Sequence, residues 1–185
     1  MSATHSLHYQ LCVEGAKWLH RQKWNYDRCT KKSCYHKDTC RCPQCNYVAV
    51  ELCTWGGENT DIWGLGNFCE SVVIEVKTSH SDFIADKKKW CRSDDAEKKG
   101  LVAGRKRYFL CPEGVIKEDE LPEKWGLLYW DGKKIVPVVG AKPFENTHYA
   151  DMLILTSILR RENFPQKVFN YRGAPSTIKP LTIFE

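Results

Sequence analysis

The chain has 185 residues, 42% hydrophobic, 28% charged and 12% aromatic, with a formal net charge of +5. That length suits a single domain able to bury a substantial core, and the composition excludes global disorder. No apolar run approaches a membrane span and the first ten residues lack the apolar core of a signal peptide, which predicts a soluble, intracellular (cytoplasmic) protein with no membrane partner.

Residues 7–23 carry Leu11, Val13, Ala16, Trp18 and Leu19 in a broad apolar stripe, with Lys and Arg gathered at the C-terminal end, as a helix dipole favours. Glu14 falls inside that stripe. It is either a partly exposed charge beside Trp18 or a carboxylate reaching toward the strands that follow. Residues 27–46 have neither helical nor strand periodicity. Of ten cysteines in the chain, five fall within 17 residues here: Cys29, Cys34, Cys40, Cys42 and Cys45. Without a secretory signal such a cluster points to metal rather than disulfides. Cys42-Pro-Gln-Cys45 makes a knuckle that, with Cys29 and Cys34, gives a closed tetrahedron for structural Zn²⁺; Cys40 or His36 are alternate ligands. An iron–sulfur cluster is the lesser alternative, since ferredoxin-type spacing is absent.

Residues 47–55 alternate as a strand, Gly56-Gly57-Glu58-Asn59 is a turn, a second strand spans 61–65 and a third begins at Ser71. These neighbours form an antiparallel meander. On the third strand Val73, Glu75 and Lys77 share one face while Val72, Ile74 and Val76 share the other. An acid and an amine side by side on a buried β-branched strand are costly unless paired or used. Asp61, at the head of the second strand, supplies another carboxylate, and Glu51 on the first is a weaker candidate.

A helix is predicted over 82–92, with Ser81 as N-cap and Asp82 in its first turn, then a polar loop or frayed helix end over 94–100. Residues 107–111 form a short strand and 115–122 a polar connection. A strand over 125–130 turns at Asp131-Gly132 into another over 134–139. A helix covers 148–161. Residues 164–185, with three prolines, form an extended arm, packed on its own chain or swapped onto a partner in a homodimer. The expected class is α/β: a mixed central sheet flanked by helices, one domain over 1–185, with a small cysteine-rich insertion.

Asp61 and Glu75, from adjacent strands, can share Mg²⁺ or Mn²⁺ through oxygen ligands and leave room for waters and a phosphate. Lys77, on the face of Glu75, can hold the attacking water or offset developing charge. Basic residues crowd two segments. Residues 87–107 hold nine Lys or Arg against three acids, and 17–37 hold seven against one, the pattern of a polyanion-binding surface. Lys87, Lys88, Lys89 and Arg92 are the candidate nucleic-acid contacts.

This order of elements resembles the PD-(D/E)xK nuclease superfamily, whose restriction-endonuclease-like core carries an acid near the start of its second strand and Glu-x-Lys on its third. Within it, the stretch from Thr54 to Trp90 looks most like the MmcB-type DNA-repair nucleases. The matching residues are Asp61, Glu75-Val76-Lys77-Thr78-Ser79 and Ser81-Asp82-Phe83-Ile84-Ala85-Asp86-Lys87. The cysteine-rich segment is not part of that pattern, and Thr60 replaces the customary proline. The resemblance implies a metal-dependent nuclease acting on DNA, with Asp61, Glu75 and Lys77 catalytic and Glu14 a distal ligand. The alternative is a non-catalytic, zinc-stabilised nucleic-acid-binding or adaptor module on a nuclease fold.

Overall fold

The structure, a computed structural model, describes residues 6–21, 45–54, 58–66, 69–145 and 147–162. Cys29, Cys34, His36, Cys40 and Cys42, and the arm over 164–185, lie outside the described residues. The chain is mixed α/β in the order α1 (Leu7–Arg21), β1 (Tyr47–Leu52), β2 (Thr60–Leu65), β3 (Ser71–Val76), α2 (His80–Asp86), α3 (Asp94–Lys98), β4 (Lys106–Pro112), β5 (Gly126–Trp130), β6 (Ile135–Val139) and α4 (His148–Arg161). Among these helices none is long and apolar enough to cross a membrane.

The six strands form one sheet in sequence order. β1, β2 and β3 are the expected antiparallel meander. β3, β4 and β5 run parallel, and β6 returns antiparallel to β5. Parallel strands with both faces covered read as near-continuous apolar runs, and β3, Ser-Val-Val-Ile-Glu-Val, is buried at every position. Glu75 is the one ionisable exception in that run.

Side-chain alternation divides the core between the two faces. On one, Leu11, Cys12 and Leu19 of α1 pack against Ile62, Ile74, Val76, Tyr108 and Leu110. Gly15 permits that approach: a Cβ there would stand 2.4 Å from the Ile62 side chain. On the other face Phe83 of α2 joins Phe109, Trp125, Leu127 and Phe144, and Ala150 and Ile154 of α4 join Trp63 and Val73. α4 is pinned by Asp151, which accepts from Trp63 Nε1 at 2.9 Å, Ser71 Oγ at 2.6 Å and the Gly104 amide at 3.0 Å.

Two expectations are corrected. The helix predicted over 82–92 spans only His80–Asp86, and its N-cap is Ser79, whose hydroxyl accepts from the Asp82 amide at 3.3 Å. A 3-10 turn, Trp90–Arg92, follows, and the stretch over 94–100, expected as a polar loop or a frayed helix end, holds the separate short helix α3, capped by Ser93. The early stop has a cause. The chain must bend after Asp86 so that Arg92 can return to it, Nε to Oδ2 at 2.7 Å.

Candidate active site

The acids of the meander meet at one end of the sheet. Rungs Val50↔Ile62 and Leu52↔Thr60 flank the position where Glu51 faces Asp61, and Asp61 faces Glu75 one step beyond Ile62↔Ile74. Glu51, Asp61 and Glu75 therefore form one row across β1, β2 and β3. Like charges opposite one another on paired strands repel, so the row calls for a cation. Asp61 is 23% exposed and its Oδ2 accepts from the Val76 amide at 2.8 Å, which turns the carboxylate over the end of β3. Lys77 follows immediately. Its amide donates to Leu110 O at 2.9 Å, so the parallel β3–β4 pairing fixes its backbone too.

Glu75 is wholly buried, and neither of its oxygens accepts a hydrogen bond. Three cations stand around Oε2 without closing on it: Arg92 Nη2 at 3.4 Å, Lys89 Nζ at 3.7 Å and Lys77 Nζ at 3.8 Å. Burial is the largest influence on this carboxyl and Asp61 and Glu58 add to it. Even against Arg92 and Arg107, they push its pKa up to about 7. A buried carboxylate with both oxygens unspent, beside a second carboxylate, is the donor set that a hard divalent cation takes up. The residues fit Mg²⁺ or Mn²⁺ on that ground.

Lys77 is 3% exposed and held on its other side by Asp86 Oδ1 at 3.0 Å. Asp86 also pairs with Lys89 at 2.8 Å and with Arg92. Burial opposes its ionisation, but these partners, Arg92 first, hold its carboxyl well below the usual range. Behind it Glu58 takes both arms of Arg107 and one of Arg92, with all three side chains buried or nearly so. Against a burial that would raise it, Arg107 and then Arg92 bring Glu58 down to about 2. Both guanidinium groups stack on the Trp125 ring, at 4.6 and 4.8 Å from its centroid. This charged plug locks Arg92, and through it Asp86, against the floor on which Lys77 stands.

The structure brings Asp61, Glu75 and Lys77 together, as their spacing predicts. It does not bring Glu14 to them. Glu14 pairs with Lys17 at 2.6 Å and lies two residues, 200° around the helix, from Cys12. The groups of α1 beside the acids are instead His8, with Nε2 3.5 Å from Asp61 Oδ2 and Nδ1 3.6 Å from Glu51, and Cys12 one turn on. Arg92, expected at the surface for nucleic acid, is corrected: it is 9% exposed and spent on Glu58 and Asp86. Lys87, Lys88 and Lys89 are exposed, Lys87 lying 4.7 Å over the Phe83 ring. Cys45 is buried against Gly64 and Leu19, and burial raises its thiol to about 12. The other ligands expected with it lie outside the described residues. His8 and Cys12 carried a signal in the sequence, two metal-type donors at i and i+4 on one helix; Glu58 carried none, since its turn reads as solvent-facing.

No family model matches this sequence, and no curated protein matches it. A solved protein of unknown function from Silicibacter pomeroyi is similar, with 24% identity over 62% of this chain and 75% of that chain, at a TM-score of 0.46. A likeness of that size carries no chemistry across.

Proposed function

We propose that the protein is a metal-dependent nuclease that hydrolyses phosphodiester bonds in DNA. The observation that carries this reading is Glu75: a buried carboxylate with no hydrogen bond to either oxygen, in a row with Asp61 and beside Lys77. The reading is supported by the run α1, antiparallel β1–β2–β3, α2 and parallel β4, the order that a PD-(D/E)xK core calls for. It is also supported by the exposed lysines at the end of α2.

Asp61 and Glu75 would hold Mg²⁺ or Mn²⁺, which supplies positive charge to the phosphoryl oxygens and makes water a better nucleophile. Lys77, fixed between Glu75 and Asp86, would orient the attacking water and offset charge on the phosphate as it develops. Asp86 and Arg92 act as positioning residues, holding the ammonium group in place. Lys87, Lys88 and Lys89 would track the phosphate backbone, a contribution that weakens with salt. The protein's phosphodiesterase activity is tested with a panel of duplex, single-stranded and branched DNA and RNA in Mg²⁺ or Mn²⁺, with EDTA as control. Cleavage of DNA that disappears in EDTA is expected. No cleavage of any member with either metal would overturn the proposal in favour of a non-catalytic binding module.

A further inference from the structure

A second donor cluster shares Glu51 with the acid row, and the nuclease reading gives none of its three members a role. His8 and Cys12 lie one turn apart on α1, and Glu51 reaches them from β1. His8 Nδ1 is 3.6 Å from Cys12 Sγ and 3.6 Å from Glu51 Oε1, and the three donor atoms all lie within 4.8 Å of one another. Zinc bonds of about 2.3 Å to sulfur and about 2.0–2.1 Å to nitrogen and oxygen, at tetrahedral angles, require edges of about 3.6 Å for S···N and about 3.3 Å for N···O. The two measured edges match those lengths to within a few tenths of an ångström.

Three further features fit an ion at that point. Glu51 has a left-handed backbone, φ +50°, which costs energy for a residue with a Cβ. Cys12 is fully buried, so its sulfur is screened from solvent on the α1 side of the cluster. His8 Nε2 lies 3.5 Å from Asp61 Oδ2, so the tautomer with its proton on Nε2 would turn the lone pair of Nδ1 toward Cys12 and Glu51. That is the carboxylate–histidine–metal relation by which outer groups orient a ligand.

We infer that His8, Cys12 and Glu51 form a site for Zn²⁺, with one coordination position open and with Asp61 orienting the imidazole from behind. The mixed nitrogen, sulfur and oxygen set selects a borderline-soft ion over Mg²⁺ or Ca²⁺, which take oxygen donors. The site uses no residue of the cysteine-rich segment and stands whether or not the protein cuts DNA.

Zinc equivalents bound per chain, measured on the full-length protein by competition with a chromophoric chelator, test this. His8→Ala and Cys12→Ala are each expected to bind one equivalent fewer than wild type, and Lys77→Ala the same number. Asp61→Asn should keep the stoichiometry but weaken that one ion by about 10–100-fold. Any zinc held by the cysteine-rich segment is common to all variants and cancels. Should Cys12→Ala fail to fold, His8→Ala decides alone, because His8 is 33% exposed and outside the core. Full stoichiometry in folded His8→Ala would overturn the site.

Discussion

Glu75→Gln makes the buried carboxylate permanently neutral and nearly isosteric. Its carboxyl is raised from 4.5 to about 7, chiefly by burial. That difference corresponds to roughly 3 kcal/mol of folding free energy. The sign follows from the raised value: the folded state holds this proton more tightly than the unfolded chain does. The favourable contribution is complete below about pH 4.5 and is lost as pH rises through about 7. In EDTA, Glu75→Gln should therefore be more stable than wild type by roughly 3 kcal/mol at pH 8. At 2–4 °C per kcal/mol for a chain of this size, Tm should rise by roughly 6–12 °C. At pH 5 most of the difference should vanish. Mg²⁺ should raise the Tm of wild type at pH 8 by mass action and leave Glu75→Gln unmoved. Differential scanning calorimetry at the two pH values, with and without Mg²⁺, measures all of this. A Glu75→Gln variant no more stable than wild type at pH 8 would refute the view that the burial of Glu75 outweighs the cations around it.

Glu58→Gln leaves Arg107 and Arg92 without their shared buried partner and should cost about 3–5 kcal/mol in urea denaturation at pH 7. Because the Glu58 carboxyl is lowered to about 2, wild-type stability should also fall as pH drops from about 4.5 toward 2, and the variant should lack that slope. Asp151→Ala strands the Trp63 indole, the Ser71 hydroxyl and the Gly104 amide. It should cost about 3 kcal/mol by the same denaturation, with the Trp63 fluorescence exposed earlier in the transition.

Much of this arrangement was legible in the chain itself. The β-branched run of β3, the Asp131-Gly132 hairpin and the bounds of α4 follow from periodicity and turn chemistry. Asp61, Glu75 and Lys77 stood out because acids and an amine interrupt apolar strands. The missed features depend on tertiary pairing. Arg92 belongs to a basic stretch that reads as solvated. Glu58, 34 positions earlier and disguised as a turn residue, joins Asp86 in pulling its guanidinium inward. The same pull ends α2 at Asp86, where local propensity would have continued it to Arg92. Glu14 looked well placed by sequence order, but helical phase sends it toward Lys17 and gives His8 and Cys12 the position facing the acids.

Lys77→Ala, assayed for Mn²⁺ binding and DNA cleavage on one preparation, bears most directly on the nuclease assignment. Asp61 and Glu75 are untouched, so Mn²⁺ binding should persist while cleavage falls by about 10²–10⁴-fold. Cleavage by Lys77→Ala at the wild-type rate would contradict the role assigned to the Asp61, Glu75 and Lys77 constellation.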